Sequence, residues 1–205
     1  MSPEEEYPYP VHAVADLARN FSADHFRFAV KQCRDGIATV LADDKRSDQQ
    51  IARVHILRYL DLQLSRAARW IDDGDDLLAL VVRSQIELRG WAEFVSRGPA
   101  EAAQFLHEAN IDIRELHELM NKAFPGEIPP LPGPVEGRRI RLDRSGDEEA
   151  LIFKVCSKLI HPAAAVLVDL DGLVFSAGHR KILALKVVDY GWGIFDMLHH
   201  IEWVP

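Results

Sequence analysis

Apolar positions recur along most of this chain at intervals of three and four, the period of helices buried on one face, and no segment alternates at period two for long enough to read as a strand. Start and stop signals agree with that pattern. Ser22 opens an amphipathic run to about Leu41, and Ser47 with Gln50 has the spacing of a capping box and opens a second run to about Trp70. Asp75 and Asp76 suit the positive end of a helix through Leu77 and beyond, which Gly98-Pro99 closes. Two shorter helices are expected over Ala100 to Glu108 and Asp112 to Phe124. Ser145 and Glu148 form another capping box and start a helix to about Ile160, and a last helix is expected from about Ala177 to Val204. Between them, Pro125 to Gly146 carries five prolines and four glycines and cannot continue a helix. The expectation is an all-α protein: residues 1–205 as a single helical bundle of about seven helices, with residues 1–10 extended and 125–146 as a Pro/Gly-rich crossover loop.

Two helices stand out by being apolar around most of their circumference. In the first, LLALVVRSQIELRGWAEFV (Leu77 to Val95), the helical wheel groups Gln85, Arg89 and Glu93 as a solvated edge. It sets Arg83 and Glu87 on the far side, among Leu80, Gly90 and Phe94. An ion pair spaced i,i+4 in apolar surroundings costs several kcal/mol per ion to bury, so it serves either fold specificity or a site. The second is the C-terminal helix, with Tyr190, Trp192, Phe195 and Trp203 and the close-approach sequence Gly191-Trp192-Gly193. Seven helices leave room for one central helix, which the Leu77 helix claims, so the last helix is expected to be shared in a homodimer.

Composition narrows the function. The formal charge of −8 disfavours sequence-independent binding to a nucleic-acid backbone, so an RNA or nucleotide needs a local basic patch. The dense basic cluster is Arg138, Arg139, Arg141 and Arg144, a solvated loop or a ligand site. PPLPGP, within the same loop, is either a strap across the bundle or a proline-rich ligand for a protein partner. The acidic, proline-bearing N-terminus is unlike a signal peptide, and no stretch of about 18 apolar residues offers a membrane span. Cys33 and Cys156 show no metal or disulfide spacing, so a cytoplasmic protein without a membrane contact is expected. Asp189, Asp196 and His200 share one stripe of the last helix, but the Glu-x-x-His pairs of di-metal bundles are missing, and no metal or other cofactor is assigned.

The remaining chemistry lies in Lys154-Val-Cys-Ser157-Lys158-Leu-Ile-His161-Pro162. Pro162 ends the helix at His161, and Lys154, Ser157, Lys158 and His161 form one polar stripe. A histidine at a helix C-terminus, one turn beyond a serine, suits a general acid or base beside a hydroxyl, or else a simple helix cap flanked by solvated lysines.

The combination of RSQIELRGWAEFV and SKLIHP resembles a bacterial family of all-helical proteins that look distantly like the HEPN superfamily, whose bundles include ribonuclease toxins and nucleotide-binding modules. The resemblance implies that Arg83, Glu87, Ser157 and His161 converge. It also implies a module that binds a nucleotide or RNA, in a defence or toxin–antitoxin setting, with His161 and Ser157 catalytic and Arg83, Glu87, Lys154 and Lys158 binding. Catalytic HEPN domains carry an arginine separated from the histidine by four to six residues, whereas the positions seven to four before His161 hold Lys154, Val155, Cys156 and Ser157. A lysine does not offer arginine's bidentate fork for phosphate. The competing reading is a non-enzymatic, homodimeric interaction module.

Overall fold

A computed structural model of the chain describes residues 11–41, 47–72, 75–123, 125, 147–160 and 177–199. Seven helices and no strand occur among the described residues: α1 (Val11–Arg19), α2 (Ala23–Leu41), α3 (Asp48–Trp70), α4 (Asp75–Ser96), α5 (Pro99–Ala123), α6 (Asp147–Ile160) and α7 (Ala177–His199). The chain is thus an all-α bundle. None of these helices is long and apolar enough to cross a membrane. The extended residues 1–10, the crossover loop beyond Pro125, its arginine cluster, the Ser145 cap, His161 and His200 lie outside the described residues.

Local chemistry sets several boundaries where the sequence places them. Ser47 caps α3 with a complete capping box: its hydroxyl accepts from the Gln50 amide at 3.3 Å, and the Gln50 side chain accepts from the Ser47 amide at 2.9 Å. Ser22 accepts from the amide of His25 at the start of α2. Gly98 turns the chain with a positive φ, and Pro99 begins α5 with its ring in the first helical turn, where a missing amide proton costs nothing. Two expectations need correction. α1 was not anticipated, and the two short helices after Gly98 are one continuous α5 of 25 residues. Ala109-Asn110-Ile111 contains neither proline nor glycine, and one asparagine costs well under ~1 kcal/mol of helix propensity, too little to break a packed helix.

The core is built on two helices. α4 packs most extensively against α7, with α3, α6 and α5 around it, while α2, α3 and α1 also cover α7. Gly191 lets α7 approach closely: a Cβ there would meet Leu64 of α3 at 3.1 Å and Gln85 of α4 at 3.5 Å. Phe195 lies over Gly36 of α2 in the same manner. The bundle therefore has two central helices rather than one. Tyr190, Trp192 and Phe195 are buried inside the chain, at 9 % exposure or less. Neighbouring helices of the same chain cover these three side chains, so they are not open to a second copy, while Trp203, the fourth aromatic residue of the expected dimer face, lies outside the described residues.

The expected orientation of α4 is also reversed. Gln85, placed on the solvated edge by the wheel, is fully buried, and its amide donates to the Val187 carbonyl of α7 at 3.1 Å. Arg89 and Glu93 are half-buried, and Arg89 pairs with Glu93 at 3.2 Å and with Glu149 of α6 at 2.7 Å. The arc left open holds Leu80 and Glu87, with Arg83 at its edge.

Candidate functional site

The residues singled out in the sequence divide between two faces of α4. Arg83 leans towards α6, its guanidinium 4.8 Å from the centre of the Phe153 ring. Lys154, next along α6, is exposed. Ser157 is half-buried one turn later, and its hydroxyl donates to the Phe153 carbonyl at 2.8 Å, so its proton is held by its own helix. Lys158 falls in the last turn of α6. Glu87 is exposed and turns the other way, towards α3 and α5. No ion pair joins it to Arg83, so the buried pair expected from the i,i+4 spacing is absent. Glu87 therefore stands apart from the α6 stripe with which the resemblance grouped it.

What Glu87 lines instead is an open cleft of about 270 Å³ between α3, α4 and α5. Its wall on α3 carries His55 and Tyr59, one turn apart on the exposed side of that helix. Its wall on α4 carries Ser84, Glu87 and Trp91, again spaced at about one turn. Phe105 of α5 closes the end, its ring centre 5.1 Å from that of Trp91 in an edge-on arrangement that fixes both rings. α3 and α4 run antiparallel here, as shown by the Gln49 side chain at the start of α3 donating to the Val95 carbonyl near the end of α4 at 3.2 Å. Three aromatic side chains thus surround an acceptor-only carboxylate, two hydroxyls and an imidazole. The cleft can stack a flat ring and hydrogen-bond its edge.

The α3 stripe that supplies His55 and Tyr59 turns basic further along the helix. His55, Tyr59, Leu62, Arg66 and Arg69 follow each other at spacings of four, three, four and three along α3, which puts them on one stripe. α3 holds four arginines against two aspartates, a surplus of two positive charges in a chain of net −8. Asp61 is engaged by Arg34 of α2 at 2.7 Å, on the side away from the cleft. No carboxylate among the described residues pairs with Arg58, Arg66 or Arg69. Arg66 lies two turns from Tyr59, about 10 Å along the axis.

Among the described residues no group of three His, Cys, Asp or Glu side chains could hold a metal ion; Asp189 sits 3.8 Å from Lys186 instead. Sequence reasoning missed His55, Tyr59, Ser84, Trp91, Phe105 and Arg66. The 4-3-4-3 stripe on α3 was the available signal, since it mixes aromatic, imidazole and guanidinium groups on an otherwise amphipathic helix.

The chain matches no family model, no curated protein and no solved structure. Its functional reading rests on this geometry.

Proposed function

We propose that the chain is a bacterial, cytoplasmic helical module that binds a nucleotide or single-stranded RNA. The base enters the α3/α4/α5 cleft and the phosphates run along the arginine edge of α3. The supporting observation is that two features share one stripe of α3: His55 and Tyr59 on the aromatic cleft, and two to three turns further along Arg66 and Arg69, which pair with no described carboxylate. Against a net charge of −8, such an edge is the kind of local basic patch that phosphate binding needs. The reading agrees with the HEPN-like resemblance and a defence or toxin–antitoxin setting. It moves the contact surface from the Lys154–His161 stripe to α3 and keeps Glu87 as a ligand contact, now on the cleft.

The test is fluorescence anisotropy of a labelled single-stranded oligoribonucleotide over a salt series. Tyr59→Ala is expected to weaken binding by roughly tenfold, as loss of a stacking platform does. Arg66→Ala is expected to lower the slope of log K against log salt by about 0.7. Failure to bind at low salt, or binding that neither substitution alters, rejects the proposal.

A further inference from the structure

We infer that the cleft selects guanine, with Glu87 as the residue that reads the base; the inference rests on the nucleotide reading given above. Glu87 is an exposed carboxylate on the wall formed by α4, opposite Tyr59 and beside Trp91. A carboxylate only accepts hydrogen bonds. A ring stacked on these aromatic side chains must therefore present donors towards Glu87, and a lone pair aimed there is repelled.

Two ligand chemistries satisfy an aromatic cleft that holds a carboxylate. One is an organic cation, drawn by the ring faces and by Glu87. The arginines further along the α3 stripe oppose it: Arg66 and Arg69 lie about two and three turns from Tyr59, and no carboxylate among the described residues pairs with either. A ligand that pairs a donor-rich edge with an anionic tail satisfies both parts of the surface, and a nucleotide has that form.

Among the four bases the edge chemistry separates guanine. Its N1–H and N2–H₂ groups point the same way and match the two carboxylate oxygens in a bidentate contact. Adenine offers its N6–H₂ beside the N1 lone pair, cytosine offers N4–H₂ beside the N3 lone pair, and uracil offers N3–H between two carbonyls. Each of these gives at most one hydrogen bond to Glu87 and turns a lone pair towards it. A site left with such a mismatch discriminates by roughly tenfold or more. Ser84, one turn from Leu88 and facing the same cleft, supplies a hydroxyl that accepts or donates and so adapts to either side of the bound edge.

The experiment is titration calorimetry of the full chain with GMP, AMP, CMP and UMP, together with Glu87→Gln and Glu87→Ala. GMP is expected to bind at least roughly tenfold tighter than the other three. In Glu87→Gln that preference disappears and shifts towards AMP and CMP, because an amide donates to adenine N1 or cytosine N3 while accepting from the neighbouring N6 or N4 amino group. In Glu87→Ala all four bind alike. Equal binding of the four nucleotides by the wild-type protein, or a guanine preference that survives in Glu87→Ala, overturns the inference while leaving the nucleotide reading intact. If no nucleotide and no single-stranded RNA binds, or tetramethylammonium binds in their place, the nucleotide reading fails together with it.

Discussion

Gln85 of α4 donates its side-chain amide to the carbonyl of Val187 on α7 at 3.1 Å, with no exposure to solvent, so the two central helices are joined by a polar contact inside the core. The amide oxygen of the same side chain finds no partner among the described residues. A buried amide that is half-satisfied returns little net stability, since losing water at its oxygen offsets the bond made by its nitrogen. Gln85→Leu, an apolar group of similar shape, is therefore expected to change stability by no more than about 1 kcal/mol. Gln85→Glu puts a charge in the same place and is expected to cost more than ~3 kcal/mol at neutral pH, with part of the loss recovered in acid as the carboxyl takes up a proton. Urea unfolding at pH 7 and pH 4.5 measures both; a Gln85→Glu variant as stable as the wild type would place this side chain in water.

The glycines of α7 separate close packing from helix propensity. A methyl group at Gly191 meets Leu64 at 3.1 Å, whereas one at Gly193 meets nothing within 4 Å. Gly191→Ala is expected to destabilise by about 1 to 3 kcal/mol through overpacking. Gly193→Ala is expected to stabilise by about 0.5 to 1 kcal/mol, the ordinary gain of alanine over glycine in a helix. Thermal melts that move in the same direction for both would mean that α7 does not lie against α3 through Gly191.

Because Glu87 is exposed and unpaired with Arg83, Glu87→Ala is expected to change stability by less than about 0.5 kcal/mol. A buried ion pair would instead have lost ~3 to 5 kcal/mol. Differential scanning calorimetry decides between these, and the small value is also what makes the Glu87 variants usable in the nucleotide titrations.

Trp192 tests the position of α7. At 9 % exposure it is packed edge-on against Phe195, with ring centres 5.6 Å apart. Trp192→Glu is expected to cost more than ~3 kcal/mol, by a lost aromatic contact and a buried charge. Circular dichroism melts should show a large drop. Light scattering that reveals a folded variant with an altered oligomeric state would return this face to an intermolecular contact.

Alkaline pH should weaken the fold. Burial pushes the Cys156 thiol up to about 11, partly opposed by the nearby Arg83 guanidinium, and burial together with the carboxylates of Glu149 and Glu148 pushes the Tyr190 hydroxyl up to about 12. Burial raises the Cys33 thiol as well. A group whose proton is held more tightly in the folded state gives stability that is complete below its unfolded pKa and is lost as pH rises towards the folded value. Stability should thus be level up to about pH 8.5, then fall between there and pH 11 as the unfolded thiols and later the tyrosine ionise. Cys156→Ala should make that decline shallower in urea midpoints taken from pH 7 to 10.5; an unchanged slope would put Cys156 in contact with solvent.

The linear sequence determined the parts of this protein that depend on neighbours along the chain. The Ser47–Gln50 box, the Gly98-Pro99 break and the start of the last helix at Ala177 act over three or four residues, so their chemistry is complete before any packing occurs. The same holds for the central place of α4, which follows from its apolar circumference; that α7 is central as well was settled by the helices packed around it, since its apolar surface alone was equally consistent with a dimer face. Only the tertiary structure decided how α4 is turned. A helix with one apolar face has one way to face the core, but α4 is apolar almost all round, and a wheel cannot choose between arcs of similar character. The covering helices chose: Gln85 was taken inside because Val187 offers its carbonyl, and Leu80 and Glu87 were left out because no described helix covers them. The cleft was hidden for a related reason. Tyr59, Trp91 and Phe105 come from three helices and are up to 46 positions apart, so no spacing in the sequence brings them together; the antiparallel register of α3 on α4 and the crossing of α5 do.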